Sequence, residues 1–316
     1  MSEYSKKEIG KQAAELGFIR DTFEKMSRLV DILAFFEHDP LLSQYLALKG
    51  GTAINLTTLS LPRLSVDIDL DFAINLPLDE MMMVRDNIRI TIRQFLSMNG
   101  YIRSEKSKEY HTLDSDVFQY VNTGGMRDYV KVEINYSIRS HILPLVKRSI
   151  ETLGVFTPVT VLVLDPIEIF ASKICALCTR ALARDLYDAN SLIGLLENEP
   201  ISDLLRRCTV FYIAIGSEQT PKSFDFSKME NLTFQDIRMK LIPMLRKQER
   251  FDLVAAKDRV RRYLNNIFIL TEDDEQFLSS FASGDYRPDL LFNGEELARI
   301  ANHPMALWKM QNHKKQ

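Results

Sequence analysis

The sequence predicts an α/β (α+β) protein: a mixed β-sheet flanked by helices, followed by a helical C-terminal domain. Three observations carry this. Short runs of alternating polar and apolar residues occur between residues 46 and 136, interleaved with stretches of helical spacing. Glycine-rich turns, at Gly50-Gly51 and at Asn122-Thr123-Gly124-Gly125, punctuate those runs. From about Ile201 onward the pattern is helical. The implied boundaries are N-terminal helices over residues 1–40, a core over 41–164 and a helical domain over 165–316.

A chain of 316 residues is long enough for two domains or one large one. Its 46% hydrophobic and 26% charged residues are ordinary for a globular protein. A net charge of −3 gives no bulk attraction to nucleic acid, so any such binding needs a local basic face. Cys175, Cys178 and Cys208 are the only cysteines, with no second pair or histidine cluster to suggest zinc. The odd count, the polar start and the lack of an apolar run of ~18 residues lead us to expect a cytoplasmic protein with no membrane segment.

Residues 5–17 and 20–38 read as helices. Phe18, Phe23, Met26, Leu29, Val30, Ile32, Leu33 and Phe36 recur at helical spacing as core positions, and Pro40 ends the second helix. Residues 46–72 read as a short strand, the Gly-Gly turn, about two helical turns broken before Arg63 by Pro62, and a second strand. Residues 78–98 form an amphipathic helix in which Met81, Met82 and Met83 serve as mixed filling. The two β-runs around the NTGG turn form a hairpin, and residues 155–163 form a further strand. Asp165 and Pro166 are a cap and first residue for a helix reaching to about residue 195. Amphipathic helices over 230–248 and 253–268 follow, the second carrying Lys257, Arg259, Arg261 and Arg262 as an RNA-facing patch or a solvated face. Trp308 is expected to pack rather than stack on a base.

Chemistry concentrates in three places. In the second strand, Asp67 and Asp69 share one face while Ile68 and Leu70 anchor the other. Two close carboxylates repel, and a divalent cation relieves that; Mg²⁺ takes such hard oxygens and leaves positions for substrate phosphates. A solvated edge strand carries the same pattern. The upstream turn tips the balance, because Gly50 and Gly51 let backbone approach a phosphate at the start of a helix. No GxxxxGK[ST] loop is present, so this is a different phosphate-handling design. In a later strand, Lys131, Glu133 and Asn135 share a face, as a catalytic set or as an edge-strand ion pair. Finally, Lys173, Arg180, Arg184 and Asp188 are spaced by 7, 4 and 4 residues, one face of a continuous helix. Such a face suits triphosphate or RNA backbone, or is a solvated Arg–Asp ladder.

KGGTAINL followed by RLSVDIDLDF resembles the opening motif of the AbiEii/AbiGii toxin family, within the DNA-polymerase-β-like nucleotidyltransferase superfamily. VKVEINY resembles the family's K-x-E-I motif. E-x-x-A-x-K-x-x-A-L-x-x-R-x-x-x-R-D-L-Y-D, running from Glu168 to Asp188, looks like its later motifs, with a helix break expected near Thr179. The resemblance covers about residues 45–195.

It implies that Asp67, Asp69 and Glu133 bind metal, Mg²⁺ or Mn²⁺, and that these three with Lys173 and Asp188 are catalytic. Gly50, Gly51, Thr52, Ser65, Lys131, Lys173 and Arg184 would bind the NTP. Thr52 stands where many superfamily members have Ser, with a hydroxyl able to reach a phosphate. Glu133 would complete the metal site or act as general base. Lys173 would contact the triphosphate, Asp188 would be an essential aspartate, and Arg184 and Asp185 would support them. The function implied is transfer of a nucleotide to an acceptor, a tRNA 3′ end, by a type IV toxin with a cognate antitoxin, in defence against phage. Nucleotidylation of a protein or small molecule, and a non-catalytic NTP-binding module, are the alternatives.

Overall fold

The two strands that carry the acidic motifs, Asp67–Phe72 and Arg127–Asn135, lie side by side in the interior of one sheet. The computed structural model describes residues 4–150, 158–196, 199–221 and 224–313. The chain divides into two units: Met1–Arg139 with Leu145–Val163 and Pro243–Glu249, and Ser140–Pro144 with Leu164–Ile242 and Arg250–Gln316.

The first unit begins with helices α1 (Lys6–Leu16), α2 (Arg20–His38) and α3 (Pro40–Tyr45). It continues with β1 (Leu46–Leu48), α4 (Gly50–Thr57), β2 (Asp67–Phe72) and α5 (Leu78–Met98). The strands β3 (Ile102–Arg103), β4 (Lys108–Glu109), β5 (Leu113–Val121), β6 (Arg127–Asn135), β7 (Val146–Ser149) and β8 (Thr160–Val163) complete it. The sheet order is β3-β5-β6-β2-β1-β8-β7, with β4 beside β5. β2 pairs with β6, and β1 with β8, in parallel; the other pairings are antiparallel, so the sheet is mixed as expected.

One sheet face is apolar. Ile68, Leu70, Val130, Val132 and Ile134 are buried there. The eight core positions expected from helical spacing in residues 18–36 are also buried. Asp114 and Asp116 stand cross-strand from Ile134 and Val132, so two carboxylates lie on this same face. α5 meets them with a row of arginines. Arg85, itself buried, reaches Asp114 at 2.6 Å and the carbonyls of His111 and Tyr110, while Arg89 also pairs with Asp114 and Arg93 with Asp116. Burial alone would push the Asp114 carboxyl up; Arg89 and Arg85 outweigh it and hold the group below its ordinary value. Unpaired, such acids would be costly in this core.

The second unit contains α6 (Pro166–Thr179), α7 (Ala183–Leu195), α8 (Asp203–Gly216), α9 (Ser227–Glu230) and α10 (Phe234–Lys240). α11 (Leu253–Ile267), α12 (Glu272–Ala282), α13 (Gly294–Ile300) and α14 (Pro304–His313) follow. Asp165 caps α6 by accepting from the Ile167 N–H at 2.9 Å, with Pro166 as first residue. Phe211 anchors the core against Phe277 and Phe292. No helix among the described residues is long and apolar enough to cross a membrane.

Several local expectations are corrected. α4 ends at Thr57, well before Pro62, because the chain turns through positive φ at Ser60 and Leu61. The expected strand over 155–163 is β8; its residues 155–157 lie outside the described residues. The expected helix over 230–248 is α10 alone, followed by a single 3-10 turn. The chain then joins the first unit, where Leu245 bridges to Arg63 and Met244 accepts from the Leu64 N–H. Of Met81, Met82 and Met83 only Met81 is buried. Trp308 is 57% exposed rather than packed.

Candidate active site

Parallel pairing of β2 with β6 sets Asp67 beside Lys131, Asp69 beside Glu133 and Asp71 beside Asn135. Paired residues in a sheet point to one face, opposite the apolar one. β6 is flanked by β5 and β2, so the edge-strand explanation for Glu133 does not hold. An ion pair is nonetheless present: Lys131 Nζ lies 2.9 Å from Glu133 Oε1.

The glycine turn is held over this face by β1. Leu48 pairs with Leu70, and the Lys49 N–H donates to the Asp69 carbonyl at 2.9 Å. Gly50 follows with φ +69°, a left-handed conformation, and a Cβ built there would lie 2.8 Å from Asp69 Oδ2. Conformation and space both demand glycine. Gly50→Ala should therefore cost about 1–2 kcal/mol of stability for the left-handed backbone. By displacing the Asp69 carboxylate it should lower nucleotidyl transfer by about 10²-fold. Urea unfolding beside a transfer assay checks both.

Thr52 and Ser65 are buried. Their hydroxyls lie 2.6 Å apart, and Thr52 also donates to the Asp67 carbonyl. Both side chains thus brace the turn against β2.

Lys49 and Asp71 join the site without a role expected from the motifs. Asp71 is the third aspartate of β2 on the same face, is buried, and is paired with Lys49 Nζ. The signal was available: a carboxylate recurs at Asp67, Asp69 and Asp71, with a lysine just before the glycines. Lys49 neutralises the third carboxylate, which leaves Asp67 and Asp69 as the partly exposed pair.

Among the described residues no three Asp, Glu, His or Cys side chains are gathered as a ready-made metal cage. Of the three acids expected to bind metal, Asp69 and Glu133 stand side by side in register, and Glu133 is paired with Lys131. The pair Asp67 and Asp69 still fits a hard divalent cation. Both offer carboxylate oxygens, and the missing Cβ of Gly50 leaves open the space directly beside Asp69 Oδ2. Mg²⁺ is commonly held by one or two carboxylates, with water and phosphate oxygens as its other ligands.

In the second unit the remaining candidates converge by a different route from the one expected. The helix is interrupted at Arg180–Leu182, where Ala181 adopts φ +48°, so residues 173–188 do not form one continuous face. Asp185 explains the break. Its carboxylate accepts from the Leu182 N–H at 3.3 Å and pairs with Arg180 at 3.1 Å, folding the start of α7 back on itself. Lys173 is nearly buried and lies 3.0 Å from both Asp185 and Asp188. Burial pushes the Asp185 carboxyl up, but Lys173 and Arg180 together hold it below its ordinary value. Arg184 is half-buried on α7. Glu168, fully buried, accepts from the N–H groups of Ile142 and Leu143 and from the Tyr212 hydroxyl, a structural role.

A family model, the nucleotidyltransferase AbiEii toxin of type IV toxin–antitoxin systems, matches residues 34–282. The match takes in the glycine turn, β2, β6 and the Lys173–Asp188 pair. The chain belongs to the AbiEii family. It is accordingly a nucleotidyltransferase toxin, for which membership implies an NTP substrate and an antitoxin partner. Its fold is similar to that of MenT4, the nucleotidyltransferase toxin Rv2826c from Mycobacterium tuberculosis H37Rv. The TM-score is 0.65 at 18% identity, over 96% of this chain and 99% of that one. At that identity the likeness is one of fold. Comparison with curated proteins by sequence returns no match.

Proposed function

We propose that this AbiEii toxin transfers a nucleoside monophosphate from an NTP to the 3′-terminal hydroxyl of an RNA, with tRNA as acceptor. The setting is the cytoplasm, and the outcome is growth arrest in defence against phage. The observation that supports the chemistry is Gly50 seated against Asp69, beside Glu133 on the neighbouring strand. Asp67 and Asp69 would hold a divalent cation, Mg²⁺ or Mn²⁺. When bound, it supplies positive charge to the phosphates and favours ionisation of the acceptor hydroxyl. The backbone at the start of α4 orients the phosphates. The acceptor oxygen attacks the α-phosphorus, the bond to the bridging oxygen of the β-phosphate breaks, and pyrophosphate leaves with that electron pair. Glu133 takes the hydroxyl proton, and Lys131 positions Glu133. Thr52 and Ser65 contribute by bracing the turn. In the helical unit, Lys173 and Arg184 serve NTP binding, with Asp185 and Asp188 fixing the lysine.

The test supplies purified toxin with Mg²⁺, each α-labelled NTP in turn, and total tRNA either intact or periodate-oxidised. Periodate destroys the terminal ribose diol. Label on intact tRNA and none on oxidised tRNA is expected. Equal labelling of both would exclude the 3′ end, and label on a protein or small molecule instead would exclude RNA as the acceptor.

A further inference from the structure

α11 carries four cations, and the structure separates them. Lys257 donates to the carbonyls of Glu230 and Leu232 at 2.5 and 2.8 Å, so it ties the second unit together. Arg261 is paired with Glu230 and Asp258, both at 2.7 Å. These two are structural. Arg259 and Arg262 instead line a groove of about 290 Å³ between α7 and α11, within the second unit. Arg259 donates to Asn190 at 3.4 Å. Arg262 is exposed; its Nε donates to the Asp258 carbonyl at 3.3 Å, and no described carboxylate pairs with it.

The rest of the groove is of a different character. Ile193 and Ile201 give it apolar wall, and Glu199 adds one acid to its lining. Tyr263 presents a half-buried ring, fixed from behind by Phe170 at 5.9 Å between centroids and 23° between planes. Asn266, exposed on the same helix, offers an amide. An anchored aromatic face, an amide edge and two guanidinium groups match the parts of an unpaired nucleotide: base face, base edge and phosphate. The volume sits at the low end of ligand sites, the scale of one nucleotide rather than a duplex.

We infer that the α7–α11 groove binds single-stranded RNA, with a base against Tyr263 and the adjoining phosphates at Arg262 and Arg259. This rests on the reading of RNA as the acceptor and gives that acceptor a specific place on the chain. A short single strand placed there would be held by stacking and charge with little sequence preference.

Binding is measured without NTP, so it stands apart from catalysis. A fluorescein-labelled single-stranded oligoribonucleotide of about ten nucleotides, within the usual range of single-strand site sizes, is titrated by anisotropy at several salt concentrations. Arg262→Glu should weaken binding at least about ten-fold and flatten the salt dependence by roughly one phosphate contact. Tyr263→Ala should weaken it about ten-fold, with the salt slope unchanged. Arg238→Glu makes the same charge change on exposed α10 and should alter binding less than about three-fold. Arg262 is a surface residue, so its variant should melt as wild type does. Equal weakening by Arg238→Glu and Arg262→Glu would mean bulk charge and overturn the groove. Wild-type strength in Arg262→Glu, or no binding by the wild-type chain, would overturn it as well. Labelling of tRNA by Arg262→Glu at the wild-type rate would remove the groove while leaving RNA nucleotidylation in place. Failure of wild type to label any RNA, with oligonucleotide binding intact, would remove the reading and leave the groove.

Discussion

Asp69→Asn is expected to lower nucleotidyl transfer by at least about 10³-fold and to leave the fold intact. The substitution keeps shape and removes one negative charge from a face where Asp67 and Asp69 project side by side from alternate positions of β2. A positioned divalent cation contributes several kcal/mol to a phosphoryl transition state. About 4 kcal/mol corresponds to about 10³ in rate. Stability should move the other way, upward by a few tenths of a kcal/mol, because like charges at close range on a sheet face are destabilising. Loss of activity with unchanged or raised stability is the behaviour of a site held against local preference. Steady-state transfer rates and urea midpoints, measured on the same preparations, check it. A variant that unfolds readily would point instead to a structural role for Asp69.

Lys173→Met should show the reverse balance, a large stability loss together with loss of NTP affinity. Lys173 is nearly buried and serves two buried carboxylates, each at 3.0 Å. Removing one partner of a buried charge set costs about 3–5 kcal/mol, because the charges left behind stay desolvated. Arg180 still reaches Asp185, so the lower part of that range is expected. The acid limb of stability carries a second signature. The Asp185 carboxyl sits below its ordinary 3.8: burial raises it, and Lys173 followed by Arg180 lowers it further. A depressed carboxyl stabilises the fold fully above its unfolded pKa and loses that contribution as pH falls through the folded value. Lys173→Met removes the largest of those attractions. The variant should therefore be weaker at pH 7 yet lose less stability than wild type as pH is lowered from about 5 to 3. Urea midpoints across that range decide it, and parallel curves would show that Lys173 does not set the Asp185 carboxyl.

The chemistry of this chain was legible where side-chain period and special residues coincide. Asp67 and Asp69 on a strand of alternating faces, after two glycines, could hardly be arranged otherwise, and β2 beside β6 gives the acids one face. What stayed hidden depends on long-range contacts. Nothing local marks Ala181 as left-handed; it follows from Asp185 reaching back to Leu182 and Arg180. Residues 243–248 read as the end of an amphipathic helix, but pairing with Arg63 and Leu64 overrides that pattern. β7, with the residues VKRS, has too short and polar a pattern to read as a strand without its partner β8. The basic stripe of α11 is uniform in sequence, and only the contacts of Glu230, Leu232, Asp258 and Asn190 distinguish its cations.

The proposed role of Asp67 and Asp69 on β2 as the metal-dependent centre of nucleotidyl transfer is decided by following pyrophosphate release and α-label transfer to total RNA in parallel, with wild type and the Asp67→Ala, Asp69→Ala double variant, with and without Mg²⁺. Stoichiometric release and labelling are expected from wild type only when Mg²⁺ is present, with neither product from a double variant whose circular dichroism and melting match wild type. Labelling by a folded double variant would contradict it and place the chemistry elsewhere on the chain.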